Sequence, residues 1–166
     1  MRKILCFLLV ICCFAGILGC TSDHDKPENS VSVFFKREKT VYGTADGVIG
    51  ETYLDAAGRE TDYAYLLNVY LQMTPGEGLS PTYPKGVAMM NFKLQGLTAK
   101  VVLSDQIAEL TGMELTIALT CLTKTVMSIT GCQEVIISAT TKQLDGQNFV
   151  TLNKDSYLLL DGSGTT

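Results

Sequence analysis

What most constrains the fold of this chain is the order in which its hydrophobic period changes. Apolar residues that alternate with polar ones suit a strand with one buried face, whereas a recurrence every three to four positions suits a helix. Val31-Ser32-Val33-Phe34-Phe35 opens with the two-residue period, placing Val31, Val33 and Phe35 on one side, and Val48 to Leu54 forms a weaker second strand. Tyr63, Leu66, Leu67, Tyr70 and Leu71 then keep helical spacing behind Thr61-Asp62, either of which can cap the first free amides. Pro75-Gly76 stops that helix. Beyond a turn-rich stretch, Val87 to Leu94 and Leu97 to Leu103 alternate on either side of Gln95-Gly96. They predict a hairpin with Met90, Phe92 and Leu94 facing the same way as Ala99, Val101 and Leu103.

The second half repeats the pattern. Ser104-Asp105 caps a short turn carrying Ile107 and Leu110, and a long helix runs from about Met113 to Ile129. Leu115, Ala118, Leu119, Leu122, Val126 and Ile129 line its apolar side, and Gly131 supplies the left-handed residue after its end. Thr116, Thr120, Thr123 and Thr125 are mediocre helix formers, so packing must hold this helix. Glu134 to Thr140, with Val135, Ile136, Ile137 and Ala139, predicts a central strand buried on both faces. Leu144-Asp145-Gly146 turns the chain, and Phe149 to Leu152 with Tyr157 to Leu160 add edge strands. The sum is an α+β fold: a two-layer sandwich with two helices on one face of a mixed or antiparallel sheet, in β-α-β-β-α-β order.

In front of this block stands a leader. Met1-Arg2-Lys3 is basic, Ile4 to Ile17 is a run of 14 residues without charge, and polarity returns abruptly after Cys20. As a helix the run spans roughly 21 Å at about 1.5 Å per residue, short of a bilayer core of roughly 30 Å. That is the layout of a signal peptide, with an uncleaved N-terminal anchor as the alternative. Ile17-Leu18-Gly19-Cys20 resembles a bacterial lipobox, in which the cysteine thiol receives a diacylglyceryl group and becomes the first residue after cleavage. The resemblance implies residues 1–19 as signal peptide, Cys20 as lipid attachment site, and a location at the cell membrane on its extracytoplasmic face. Two acyl chains, at about 0.8 kcal/mol per buried methylene, hold far better than one. Residues 20–30 carry Pro27 and several charges and form a tether, with His24 solvated in it; residues 31–160 form the domain, and 161–166 a frayed, disordered tail.

Composition narrows the function. His24 is the only histidine of the 166 residues, which removes Ser-His-Asp triads, Cys-His dyads and most zinc sites. No glycine-rich phosphate loop and no Gly-x-Ser-x-Gly elbow occurs, and Asp145-Gly146-Gln147-Asn148 lacks the further carboxylates of a calcium loop. No catalytic residue, metal ligand or cofactor is therefore expected. From Cys20 onward 11 basic residues face 17 acidic ones, the wrong sign for a nucleic-acid partner. Cys121 and Cys132, in an exported chain, could pair as a disulfide; helical spacing between them favours two semi-buried thiols.

The assembled pattern resembles the GerM domain, a sporulation and spore-germination domain of bacterial lipoproteins, across roughly Val31 to Thr140. Gly78-Leu79-Ser80-Pro81-Thr82-Tyr83-Pro84-Lys85-Gly86 looks like the family's Gly-Leu-x-Ser-Pro-x-Pro-x-Gly linker. Thr98-Ala99-Lys100-Val101-Val102-Leu103-Ser104 is similar to its Val-Ala-x-Val-Asp-Leu-Ser strand, with Val102 in the place of Asp. Ala118-Leu119 through Thr130-Gly131-Cys132-Gln133-Glu134-Val135 resembles its helix, Pro-Gly-Val break and following strand, with Thr130 and Cys132 in the places of Pro and Val. The resemblance implies a non-enzymatic role at the cell envelope, in sporulation or germination, with envelope or sporulation-channel proteins or copies of itself as partners. An extracytoplasmic lipoprotein that binds a small ligand or peptidoglycan is the alternative, and a cell-wall hydrolase a third. Ser80 to Gly86 reads either as a stiff connector or as a recognition loop.

Overall fold

A computed structural model describes residues 26–43 and 47–156. The leader, Ile17, Leu18, Gly19, Cys20, His24, the Tyr157 to Leu160 strand and the tail lie outside the described residues. The α+β class and the order of elements follow the periodicity. Strands β1 (Ser30–Arg37) and β2 (Ile49–Asp55) lead into helix α1 (Tyr63–Gln72) and the two-residue β3 (Leu79–Ser80). Strands β4 (Met89–Gln95) and β5 (Thr98–Leu103), a 3-10 turn (Asp105–Glu109), helix α2 (Gly112–Thr130), β6 (Glu134–Ala139) and β7 (Val150–Asn153) complete the chain. The Asp62 carboxylate accepts from Tyr65 N at the start of α1, and Gly131 closes α2 at φ 71, as read from the sequence.

The strands divide between two sheets, ordered β2-β1-β3 and β4-β5-β6-β7, where the sequence pattern suggested one. The second is mixed: β5 and β6 run parallel, and the other pairs antiparallel. Alternation shows which face of a strand is buried but not which strand lies beside it, so the division was invisible to it. Helix α2 touches both sheets. From Leu115 to Val126 all its residues but Thr116 and Lys124 are buried, the pattern of a helix enclosed on nearly every side. One continuous core joins the sheets and includes Val33, Phe35, Leu66, Tyr70, Leu122 and Ile137, and a smaller cluster places Ile49 against Ile117 and Cys121.

Local departures have local causes. A bulge between Met89 and Asn91 turns Met90 outward to 59% exposure, while Phe92 and Leu94 stay opposite Val101 and Ala99 as expected. Strand β6 is central, but its second face is only half buried, because Ile136 and Ser138 lie on the sheet's open side. Ser104 precedes the 3-10 turn without capping it; its hydroxyl accepts from Ala88 N instead. Asp145 and Gly146 both adopt positive φ in a tight turn bracketed by Leu144 and Gln147. There the Asp145 carboxylate accepts from Gly112 N at 2.8 Å, serving a first amide of α2 that Thr111 leaves uncapped. Cys121 and Cys132 are buried thiols, not a disulfide.

The 3-10 turn is tied to the loop after β6 through Asp105. Its carboxylate accepts from the Thr141 hydroxyl at 2.5 Å, from Thr141 N at 2.8 Å and from Lys142 N at 3.1 Å. The hydroxyl bond foremost, then the two amides, hold the Asp105 carboxyl below the ordinary carboxylate range. A depressed value stabilises the fold above the unfolded pKa of about 3.9, and that contribution is lost as pH falls through the folded value. In Asp105→Asn, thermal unfolding followed by circular dichroism should therefore show a shallower fall of Tm below about pH 4 than in the unmodified chain.

Candidate functional site

The connector left open between two readings, Ser80 to Gly86, is where the geometry concentrates. Strand β1 pairs with β2 along its length but with β3 only at Lys36 and Arg37. Among the described residues no strand neighbours its other backbone groups on that side, and side chains take over. Phe34 N donates to Thr125 Oγ1 at 3.0 Å, Lys36 N donates to Thr82 Oγ1 at 2.9 Å, and the Tyr70 hydroxyl donates to Phe34 O at 2.6 Å. One donor comes to rest on α2, one on the connector, and one acceptor on α1. The threonines that disfavour α2 as an isolated helix thus have a purpose at position 125.

The connector is fastened by Thr82 and Tyr83. Thr82 is buried, and the Tyr83 hydroxyl lies 2.7 Å from that of Tyr70 and 3.2 Å from Ala118 O. Two hydroxyls carry two protons for three contacts. The two short ones run from Tyr83 to Tyr70 and from Tyr70 to Phe34 O, and the longer approach to Ala118 O shares the Tyr83 proton. The rings of Tyr70 and Tyr83 meet edge to face at 5.6 Å, with Phe35 5.0 Å from Tyr70 on the other side. Burial foremost pushes both phenols well above their ordinary range; Cys121 adds to the rise at Tyr70, and Tyr70 to that at Tyr83. Both are neutral hydrogen-bonding groups, not acids or bases, at physiological pH.

With Thr82 and Tyr83 turned inward, the rest of the connector faces out. Pro81 and Lys85 are exposed, and Gly86 at φ 86 closes the turn in which Val87 N donates to Pro84 O. A cleft opens on each side of this strap. One, of about 490 Å³, lies against the end of α1 and is lined by Leu71, Met73, Pro75 and Val87 with Thr74 and Lys85. The other, of about 360 Å³, lies toward α2 and carries Lys36, Glu109 and Glu114. Among the described residues no group of three His, Cys, Asp or Glu could hold a metal ion. What the strap presents is a proline-flanked ridge between two open depressions.

Sequence reasoning singled out this segment through its prolines and glycines but missed Tyr70 and Thr125. Tyr70 sits on the apolar stripe of α1 and reads there as core, which it is; nothing along the chain signals that its hydroxyl serves a strand 36 positions away. Among the described residues no helix is long and apolar enough to cross a membrane.

No protein-family description and no curated protein matches the chain. Among solved structures, the first GerMN domain of the sporulation protein GerM from Bacillus subtilis superposes with a TM-score of 0.50 at 16% identity, over 66% of this chain and 90% of that domain. A candidate lipoprotein from Clostridium perfringens gives 0.48 at 19% identity, over 76% of this chain and 87% of that one. The tandem GerMN domains of the same Bacillus protein give 0.47 at 15% identity, over 69% and 39%. The fold is GerM-like.

Two outcomes test the site. Thr125→Val keeps the shape of the side chain but strands Phe34 N, and should lower the urea midpoint by the equivalent of about 1–3 kcal/mol with m unchanged. Because the raised phenols are neutral in the folded state, the stability they lend is complete below about pH 10, where unfolded tyrosine ionises, and is lost as pH climbs from there toward the folded values. An alkaline titration at 295 nm should thus contain a phenolate component that grows in only with unfolding, and the double substitution of Tyr70 and Tyr83 by Phe should remove it.

Proposed function

We propose that this chain is a lipid-anchored protein of the extracytoplasmic membrane face that works by holding partners, without catalysing a reaction, in spore formation or germination. The observation that carries the reading is the GerM-like fold, whose structural neighbour belongs to a sporulation protein. The leader pattern that runs into Ile17-Leu18-Gly19-Cys20 supports anchoring through a thioether at Cys20. The strap supports a binding role, since a ridge locked at Thr82 and Tyr83 presents Pro81 and Lys85 with little ordering left to lose on contact. Envelope or sporulation-channel proteins, or further copies of this chain, are the partners this reading calls for.

The cleft of about 490 Å³ beside the strap favours a second reading, a lipoprotein that binds a small solute or a peptidoglycan fragment, because it is of the size that such ligands fill. Titration of muropeptides followed by amide chemical shifts separates the two: saturable shifts confined to Thr74 and Pro81 to Val87 favour the ligand, and unchanged spectra favour the protein partner.

Metabolic labelling with an alkyne fatty acid tests the anchor. The full chain expressed in a Gram-positive host should take up the label, and Cys20→Ser should take up none; an unlabelled parent chain disproves the thioether. Lys85→Glu on the strap should leave Tm within about 2 °C, as surface changes do, while cutting cross-linking to envelope proteins of sporulating cells severalfold.

A further inference from the structure

The second sheet has one face that neither helix covers. Ala99, Val101, Leu103, Val135 and Ile137 point into the core and are buried, so the alternate residues of β5 and β6 point away from it. The strand register sorts this open face into three rows. Gln95, Thr98, Glu134 and Asn153 make a polar row at one end, and Lys93, Lys100, Ile136 and Thr151 make the middle row. At the other end Asn91 and Val102 lie beside Ser138, and continuing the β7 register sets Phe149 opposite Ser138. Met90, turned outward by the bulge, and Phe149 are 59% and 58% exposed. They mark the two sides of this margin, about 14 Å apart across four strands.

The middle row is basic and uncompensated. Lys93 and Lys100 sit directly opposite one another, which repels, and among the described residues neither makes an ion pair. The carboxylate of this face, Glu134, lies a row further from the apolar margin and accepts from the Thr98 hydroxyl at 3.3 Å. Beyond the margin Lys142 is exposed, and the Asp105 carboxylate is turned onto Thr141 and the Lys142 amide. Along the strands the face thus passes from an apolar margin through paired lysines to polar residues, in steps of about 7 Å. Hydrocarbon, phosphate and water follow in the same order at the surface of an anionic bilayer, where lysine stems lie along apolar ground with their ammonium groups at the phosphates. An acidic protein would satisfy the lysines but gives the exposed margin no role. We propose that this face docks the domain on an anionic lipid surface, with Met90 and Phe149 entering the interface and Lys93 and Lys100 meeting hydrated headgroup phosphates. The proposal rests on the anchored reading above: two lysines hold a membrane weakly alone, and an anchor supplies the bilayer at an effective concentration of about millimolar.

The chain contains no tryptophan, so Phe149→Trp, at an exposed position, gives the full anchored chain a sole indole. On vesicles of equal parts phosphatidylglycerol and phosphatidylcholine its emission should lie to the blue of that on pure phosphatidylcholine, and lipids brominated on the acyl chain should quench it. Adding Lys93→Glu and Lys100→Glu should lower the docked fraction at least about tenfold, while flotation with the vesicles, which reports the anchor, stays complete. In the unmodified chain a lipid carrying gadolinium on its headgroup should broaden the amides of Met90, Asn91 and Phe149 and spare Gly96 at the far end of the hairpin. A chain that floats with both kinds of vesicle while its indole is unshifted overturns the docking and leaves the anchor standing. Flotation confined to phosphatidylglycerol vesicles, with no fatty-acid label at Cys20, upholds the docking and removes the anchor; no flotation with either overturns both. A shift that survives reversal of both lysines also overturns the proposal, as does one that soluble polyglutamate produces without lipid, which would assign the face to an acidic protein.

Discussion

The architecture turns on one half-paired strand. A buried peptide group without a partner costs about 1–3 kcal/mol, and β1 presents such groups on the side that β3 reaches only at its end. Thr125, Thr82 and Tyr70 meet that demand from α2, the connector and α1. Each must be in place for the others to be useful, because Tyr70 is itself positioned by Tyr83 on the connector. The break between the two sheets follows. With a helix and hydroxyl groups occupying the flank of β1, no further strand can extend the first sheet there, and the second sheet assembles on the opposite side of α2.

Much of this was legible along the chain, and the reasons differ by element. The stripe Leu66, Leu67, Tyr70 and Leu71 gave α1 because a helix with one buried side must repeat in this way, and all four are buried. Gly131 gave the end of α2 because a left-handed residue is cheap only without a Cβ. The hairpin of β4 and β5 kept its register at Phe92, Leu94, Val101 and Ala99, and failed at Met90, where a bulge that no side chain announces shifts the alternation by one. The number of sheets was not legible, since pairing partners across 91 positions leave no periodic trace. The candidate site was half legible: Pro81, Pro84 and Gly86 advertise a rigid turn, while the inward hydroxyls that make it rigid look like ordinary core and loop residues.

The strap and its clefts give the GerM-like fold a surface that differs in character from the rest. The open face of the second sheet is polar, with Lys93 directly across from Lys100. Like charges so placed repel mildly and need water around them. The strap combines a locked backbone with prolines and a single lysine, and it lies beside concave ground. Rigidity there comes from the same bonds that complete β1, so the fold and the strap share their supports.

The hydrogen bond from Phe34 to Thr125 carries a temporal implication. The first strand of this domain cannot satisfy its backbone until a residue 91 positions later is in place. Until then β1 has only its hairpin with β2, and an isolated two-stranded hairpin is marginal in water. The domain therefore closes late, once the second helix is available. Long-range closure of this kind makes folding slow, so the step that completes the first sheet is also the one that sets the pace of the whole domain.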